Sequence, residues 1–177
     1  MKPEKVVSSK KVFEGQALTV RVDTIDKVSG ERVTREIVEH NDCIAAVVLD
    51  GKGNVLLVRQ FRRAAGKPLL EIPAGVVEKG EKLEDCVRRE MQEEIGYLPG
   101  KISRLGGVYA APGYCTEFMN LFLCQDLKAS RLIAEDTDEI EVVTVPLSQI
   151  QDMIEKDEIC DGKSVAGLLS VLSTLKS

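Results

Sequence analysis

The feature that most constrains this chain is a cluster of acidic residues in a helix that follows a glycine-containing turn. A helical pattern runs over residues 82–95, with apolar residues along one face and charges opposite. One turn of this helix contains Glu90, Glu93 and Glu94. Residues three or four apart on a helix are neighbours, and each like-charged pair destabilises it by roughly 0.2–0.5 kcal/mol. Because magnesium is held by carboxylates together with substrate phosphates, the cluster predicts a magnesium site for phosphate chemistry.

The spacing of the surrounding residues is also specific. Gly75 is followed after five residues by Glu81, and after seven more by the segment Arg89-Glu90-Met91-Gln92-Glu93-Glu94-Ile95-Gly96. This pattern resembles the Nudix box, which is typical of hydrolases whose substrates are nucleoside diphosphates linked to another group. The one departure is Tyr97, where the family usually has an aliphatic residue, and a tyrosine keeps the apolar packing role. A solvated helix face, which most charge runs form, would not require these fixed offsets.

The resemblance implies a role for each box residue around a divalent cation, Mg²⁺ or alternatively Mn²⁺. Glu90 and Glu94 are implied as the principal metal ligands, with Glu93 supporting them and the backbone carbonyl of Ala74 completing the shell. Arg89, four residues before Glu93, is expected to orient that carboxylate through a bidentate pair. Metal ions beside a pyrophosphate neutralise charge and lower the pKa of bound water, so the implied reaction is attack of water on phosphorus.

The attacking water also needs a base, and a carboxylate near the metal-bound water suits that role. Glu117 is the candidate, because residues 110–119 resemble the loop after the box in ADP-ribose pyrophosphatases. That branch carries a proline shortly beyond the box, where this chain has Pro112, and its loop glutamate corresponds to Glu117. Members of the branch differ in whether a loop or a box glutamate is the base, so Glu93 is the alternative.

Residues ahead of the box extend the resemblance to the same branch. Residues 58–63 and 69–75 are similar to the strand and the entry segment that precede the box in this family. The resemblance implies that Arg62 contacts a substrate phosphate, which suits a planar guanidinium, and that Arg63 shares the contact. Glu71 is implied as an acid that contacts the substrate or supports the residues that do. Without this context, the two arginines would be interpreted as exposed cations.

Recognition of the nucleobase is harder to assign from the sequence. Related enzymes stack the base on aromatic side chains of the N-terminal hairpin, but this chain has no tryptophan. Phe13 could stack on the base or anchor its strand, and Arg35 could stack through its guanidinium plane. His40, the single histidine, could bind phosphate or ribose, although a lone histidine is more often structural.

The remaining periodicity predicts an α+β protein with a mixed sheet. Two alternating runs around Ser29-Gly30 predict an N-terminal β-hairpin, and the apolar run Cys43–Leu49 is typical of a strand buried on both faces. Gly96 is expected to end the box helix. The resemblance implies the α/β/α sandwich of the Nudix fold. Further strands are expected at 55–58, 69–72, 102–109, 117–124 and 140–145, and closing helices at 148–155 and 164–175.

The chain contains no internal repeat, low-complexity tract or linker, which predicts a single Nudix hydrolase domain over residues 1–177. Residues 43–177 are expected to form the catalytic core, and residues 1–42 an N-terminal extension of strands. In the branch that the chain resembles, this extension crosses to a partner subunit. A hairpin with a poor core of its own is marginal in isolation, so a homodimer through the N-terminal strands is expected.

Composition argues against several other classes of protein. The net charge of −5 argues against nonspecific nucleic-acid binding, which requires a basic face. No apolar run reaches the ~18 residues of a membrane span, and the N-terminus shows no signal-peptide pattern. The five cysteines, an odd number without the spacing of a zinc or redox motif, favour a reducing cytoplasm.

Together these features predict a magnesium-dependent hydrolase that splits ADP-ribose into AMP and ribose 5-phosphate. Another nucleoside diphosphate sugar, such as an ADP-sugar or GDP-mannose, is the alternative substrate, because the pocket for the terminal sugar cannot be identified from the sequence. A noncatalytic module that binds ADP-ribose is a third hypothesis. The intact acids of the box argue against it.

Overall fold

Two β-sheets organise the part of the chain that the computed structural model describes, residues 4–133 and 139–175. The residues divide by their contacts into two units. The N-terminal unit comprises the residues up to Asp42 together with Tyr109–Phe118. The core unit comprises Cys43–Val108 and the residues from Met119 onward. The organisation of residues 1–177 as one domain stays a prediction.

The N-terminal unit contains an antiparallel sheet of three strands in the order β1-β2-β3. The predicted hairpin corresponds to β2 (Thr19–Asp26) and β3 (Arg32–Glu39), joined by a turn in which Gly30 has a φ of +84°. The sequence did not predict β1 (Lys5–Glu14), because all ten of its residues are exposed and no alternation marks it. Backbone pairing with β2 holds this strand in the sheet.

The core unit is built on a mixed sheet whose strands follow the order β10-β5-β4-β9-β8, with β6 paired to β5 and β7 paired to β4. Strands β4 and β9 are parallel, whereas β5 runs antiparallel to both β4 and β10. The predicted mixed sheet is therefore confirmed. The strands are β4 (Cys43–Leu49), β5 (Asn54–Arg62), β6 (Lys67–Glu71), β7 (Ala74–Val76), β8 (Tyr97–Tyr109), β9 (Phe118–Ala129) and β10 (Glu141–Pro146).

Three α-helices lie in the described part of the core unit. Helix α1 (Leu83–Glu90) continues into a π-helical turn at Met91–Ile95, which ends at Gly96 in the left-handed conformation with a φ of 76°. Helix α2 (Ile150–Glu155) follows a 3₁₀ turn, and α3 (Gly162–Leu175) is the last element described. Among the described residues, no helix is long and apolar enough to cross a membrane.

Strand β4 shows how the core is layered. Its odd-numbered residues Cys43, Ala45 and Val47 belong to one apolar cluster, and its even-numbered residues Ile44, Ala46 and Val48 belong to another. Successive side chains of a strand point to opposite faces, so both faces of the sheet are covered. The first cluster includes residues of α2 and α3, and the second includes residues of α1 and the π turn. The predicted α/β/α sandwich is confirmed.

Candidate active site

The box helix and strand β7 together form the acidic part of the site. Strand β7 pairs with β4, with Ala45 opposite Ala74 and Ile44 opposite Gly75, which fixes β7 in the sheet. The backbone N–H of Ala74 donates to Oε2 of Glu94 at 3.0 Å. A Cβ atom at Gly75 would lie 1.9 Å from Cδ of Glu90, so the Glu90 carboxylate approaches the backbone as closely as only glycine allows.

Arg89 joins the acids of the box to one another. Its Nε and Nη2 donate to the two carboxylate oxygens of Glu81 at 2.9 and 3.0 Å. Its Nη1 donates to Glu90 at 2.6 Å and makes a single 3.2 Å bond to Glu93. The predicted bidentate pair with Glu93 was wrong, because the fork of the guanidinium faces the turn that contains Glu81. Arg89 thereby attaches this turn to the helix.

The carboxyl groups of the box differ in how well their charges are balanced. Glu90 and Glu94 are only 9% and 8% exposed, and burial raises the pKa of both. The pKa of Glu94 rises to about 8, because burial and the nearby charge of Glu90 outweigh the hydrogen bond from Ala74. Hydrogen bonding to Arg89 instead lowers the pKa of Glu81 to about 2. Glu90 shares the guanidinium of Arg89 with Glu81 and Glu93, and Glu94 is bonded to the backbone N–H of Ala74. The box has more carboxyl groups than this one guanidinium can balance.

This set of donors fits a hard divalent cation. Such cations are held by carboxylate and carbonyl oxygens, and Glu90, Glu93 and Glu94 supply carboxylates on adjoining turns of one helix. The close approach of Gly75 to Glu90 keeps the backbone beside these oxygens. The structure places Ala74 at the site through its N–H, and its carbonyl as a metal ligand stays a prediction.

A second charged cluster, the support cluster, consists of Arg62, Glu71, Asp161 and Lys163. Arg62 makes a bidentate pair with Glu71, with distances of 2.9 Å for Nε–Oε1 and 2.6 Å for Nη2–Oε2. Nζ of Lys163 lies 2.7 Å from both Glu71 and Asp161. Burial alone would raise the pKa of Glu71, but Arg62 and Lys163 together hold it below its usual range.

Asp161 and Lys163 were not predicted from the sequence. Asp161 precedes α3 and accepts hydrogen bonds from the backbone N–H and the hydroxyl of Ser164, as a helix-capping residue does. The cap could have been predicted from an aspartate at the start of a helix. The contact of Lys163 with Glu71, 92 residues away along the chain, leaves no local pattern.

Arg63 does not share the contacts of Arg62. Its side chain is exposed, and its Cζ lies 5.6 Å from the centroid of the Phe61 ring in a cation–π contact. Of the two arginines, Arg62 contacts Glu71 and Arg63 does not. A contact of Arg63 with a substrate phosphate stays a prediction.

Glu117 and His40 come together in the N-terminal unit. Oε1 of Glu117 lies 3.9 Å from Nδ1 of His40. The His40 ring is oriented by a 2.7 Å contact between Nδ1 and the carbonyl of Asn41, in which Nδ1 must be the donor. The backbone of His40 exchanges two hydrogen bonds with the hydroxyl of Thr116. The loop that contains Glu117 is thus attached to the end of the three-stranded sheet.

The two predicted stacking residues lie on opposite faces of that sheet. Phe13 pairs with Val20, and Arg35 pairs with Asp23. Positions three apart on β2 face opposite sides, so Phe13 and Arg35 do not line one base pocket on this sheet. Arg35 lies 3.5 Å from a carboxylate oxygen of Glu4, and the Phe13 ring is 55% exposed. A cavity of about 240 Å³ in this unit lies between residues 15–19 and 39–41 and includes His40 in its lining.

Comparison with known proteins identifies the family. The NUDIX domain family matches residues 39–167. ADP-ribose pyrophosphatase of Bacillus subtilis (strain 168) is 32% identical over 163 residues, which cover 91% of this chain and 88% of that protein. GDP-mannose pyrophosphatase of Escherichia coli (strain SMS-3-5 / SECEC) is 36% identical over 154 residues, which cover 81% and 79%. The chain therefore belongs to the Nudix family and is a Nudix hydrolase.

The fold has a counterpart among solved structures. A crystal structure of an ADP compounds hydrolase superposes with a TM-score of 0.92 at 22% identity, covering 99% of this chain and 96% of that one. The resemblance to the ADP-ribose pyrophosphatase branch, predicted from the box and its flanking residues, is confirmed by these matches.

Proposed function

We propose that this protein hydrolyses the pyrophosphate of ADP-ribose to AMP and ribose 5-phosphate, with Mg²⁺ or Mn²⁺ as the cofactor. The observation that carries the proposal is the placement of two buried carboxyl groups against strand β7, with Glu90 beside Gly75 and Glu94 bonded to Ala74. A relative that is 32% identical is named an ADP-ribose pyrophosphatase, which supports this substrate.

The box residues would hold the cation. Glu90 and Glu94 would be its principal ligands, supported by Glu93 and the carbonyl of Ala74. When bound, the cation would neutralise charge on the phosphoryl oxygens and lower the pKa of a water molecule. Arg89 keeps Glu90 and Glu93 in place through its Nη1 bonds.

Arg62 is the residue that we assign to a substrate phosphate. Its Nε and Nη2 are used by Glu71, so Nη1 is the donor for a phosphate oxygen. Its side chain is 40% exposed, whereas that of Glu71 is 1% exposed. This difference in exposure favours Arg62 as the contact and Glu71 as the group that holds it.

Glu117 is the general base in this proposal. Replacing Glu117 with Gln removes the basic oxygen, and we expect kcat to fall by about a hundredfold or more. The matched comparison is Glu93→Gln, measured over the same pH range. A Glu117→Gln variant with nearly normal kcat, beside a Glu93→Gln variant with the large loss, would assign the base to the box instead.

A panel of substrates tests the activity itself. Purified protein would be incubated with Mg²⁺ and ADP-ribose, GDP-mannose, an ADP-hexose or a nucleoside triphosphate, and phosphomonoester release would be measured with a coupled phosphatase. We expect the highest kcat/KM for ADP-ribose. A preference for GDP-mannose, which the 36% identical relative favours, would select the second candidate. Activity on nucleoside triphosphates alone would contradict the proposal.

The same proposal includes a homodimer that works in the cytoplasm. Strand β1 is an edge strand whose residues are all exposed, with large apolar side chains at Val6, Val7 and Val12. Exposed edges of this kind pair readily with another chain. Light scattering should give twice the mass of one chain, and Val12→Lys should give a monomer. A monomeric wild type would contradict the dimer.

The compartment is proposed from the cysteines. All five are free thiols, which favours a reducing compartment.

A further inference from the structure

We infer that Lys163 is a positioning residue for substrate binding, because it fixes Glu71, and Glu71 in turn fixes Arg62. The inference rests on the proposed function, since Arg62 is assigned to a substrate phosphate there. It adds a residue from α3 to a proposed site whose other residues come from β5, β6, β7, the box and the loop that contains Glu117.

Glu71 is the centre of this arrangement. Its side chain is 1% exposed, and both of its oxygens are used. Oε1 accepts from Nε of Arg62, and Oε2 accepts from both Nη2 of Arg62 and Nζ of Lys163. The position of the carboxylate therefore depends on two cations that come from separate elements, the end of β5 and the start of α3.

Lys163 is itself held in place. Its Nζ lies 2.7 Å from Oδ2 of Asp161, and the same oxygen accepts hydrogen bonds from Ser164. The hydroxyl of Ser164 in turn accepts a 2.9 Å bond from the backbone N–H of Ile72, the residue after Glu71. The start of α3 is thus attached twice to one short segment of chain, by Lys163 at Glu71 and by Ser164 at Ile72.

Exposure separates the roles of the two cations. The side chain of Lys163 is 10% exposed, and that of Arg62 is 40% exposed. Lys163 is therefore enclosed by its two carboxylate partners, whereas Arg62 keeps accessible surface for a ligand. Two carboxylates and two cations make the cluster neutral. Removing the lysine charge leaves Arg62 as the one cation of a cluster with two carboxylates. The charge of Asp161 then also attracts the guanidinium, which competes with a ligand.

Replacement of Lys163 should change KM and leave kcat unchanged. A contact to a phosphate oxygen that is equal in the substrate complex and the transition state contributes uniform binding, and its loss raises KM while kcat is retained. We expect Lys163→Met to raise KM for ADP-ribose about tenfold, as the weakening of one charge-assisted hydrogen bond would. Lys163→Arg, which retains the charge, should restore most of the affinity.

Ser164→Ala is the matched control for a merely structural role. It removes the hydroxyl that bonds Ile72 and Asp161. The backbone N–H of residue 164 still donates to Asp161, and the Lys163–Glu71 pair stays in place. We expect its KM to stay close to that of the wild type. Thermal unfolding and circular dichroism of every variant would establish that each is folded. An equal rise in KM for Ser164→Ala would overturn the inference, as would an unchanged KM for Lys163→Met.

A double-mutant cycle with Glu71→Gln distinguishes positioning from direct contact. If Lys163 acts through Glu71, Lys163→Met should raise KM little further in the Glu71→Gln background. If Lys163 touches the substrate itself, the two effects will multiply, which would overturn the inference.

Calorimetric binding of ADP provides a readout that does not require hydrolysis. We expect the Kd for ADP to be roughly tenfold higher in Lys163→Met than in the wild type, because the same hydrogen bond is weakened. A wild type that hydrolyses no nucleoside diphosphate sugar, but whose ADP affinity depends on Lys163 in this way, would contradict the proposed function and leave the inference standing. Equal ADP affinity in the two proteins would contradict the inference.

Discussion

The core unit contains two clusters of charged side chains that differ in how completely their charges are matched. In the box, one guanidinium, that of Arg89, contacts three acids: Glu81, Glu90 and Glu93. The fourth acid, Glu94, accepts a hydrogen bond from a backbone N–H. In the support cluster, Glu71 and Asp161 face Arg62 and Lys163, so that each negative charge has a positive counterpart.

Side-chain exposure alone does not explain the difference between the clusters. Glu94 is 8% exposed and Glu71 is 1% exposed, yet the pKa of Glu94 is raised and that of Glu71 is lowered. Both carboxyl groups lose hydration, which favours the neutral form. Only Glu71 regains the lost stabilisation from two bonded cations. Under the proposed function, the excess of carboxyl groups in the box is where the cation would bind, whereas the balanced support cluster would fix the geometry of Arg62.

The largest expected effect comes from the acids of the box. Even residues that only support a metal ligand cost 10–100-fold in activity when replaced, so Glu94→Gln should lower kcat by more than about a hundredfold. Glu84→Gln is the control, since Glu84 is an exposed acid on the same helix. Steady-state kinetics of both variants, with Glu71→Gln beside them, would check this. The comparison fails if Glu71→Gln and Glu94→Gln lose kcat equally.

A smaller effect is expected from the backbone that borders the acids. Gly75→Ala would place a Cβ atom 1.9 Å from the Glu90 carboxylate, which must then move away. We expect a loss of about tenfold to hundredfold in kcat/KM, comparable with the loss of a group that orients a metal ligand. Gly162→Ala is the control, because its Cβ would meet no atom within 4 Å. Equal activity of the two variants would show that the close approach at Gly75 is not required.

The effect of pH on stability should be smaller and opposite in sign for the two clusters. Glu94 has a folded pKa of about 8 against an ordinary value of 4.5, so its contribution to stability is present below pH 4.5 and is lost as pH rises toward 8. Glu71 has a lowered pKa, so its contribution is present at neutral pH and is lost in acid.

Melting temperatures measured with a chelator across this range would test that difference. We expect the wild type to lose stability relative to Glu94→Gln as pH rises to 8, because the glutamine does not ionise. Added Mg²⁺ should raise the melting temperature of the wild type more at pH 8 than at pH 6, since metal binding competes with protons. A wild type and variant with parallel pH profiles would contradict the assignment of Glu94.

The sequence predicted most of the core unit because its patterns are local. The run Cys43–Leu49 has no polar residue and forms the central buried strand β4, and Gly96 ends the box helix as its position predicts. Strand β1 was missed because its side chains are all exposed, so that only backbone pairing with β2 defines it. The π-helical turn at Met91–Ile95 was also missed, since its residues follow the same apolar spacing as an ordinary helix.

The residues of the candidate site also divide into those that the sequence predicted and those that it did not. The acids Glu90, Glu93 and Glu94 could be located from their spacing alone, because neighbours on one helix are close in any fold. The bidentate partner of Arg89 could not, because it depends on how the turn before the helix presents Glu81. Lys163 was missed because its partner Glu71 lies 92 residues earlier in the chain. Contacts of that separation are set by packing and not by pattern.

Direct titration with a divalent cation tests the central claim, that the excess carboxyl groups of the box hold a metal ion. Binding of Mn²⁺ to the wild type, Glu94→Gln and Glu71→Gln would be measured by calorimetry at pH 8. We predict saturable binding to the wild type and to Glu71→Gln, and strongly weakened binding to Glu94→Gln. Absence of binding to the wild type, or equal binding to the wild type and Glu94→Gln, would contradict the account.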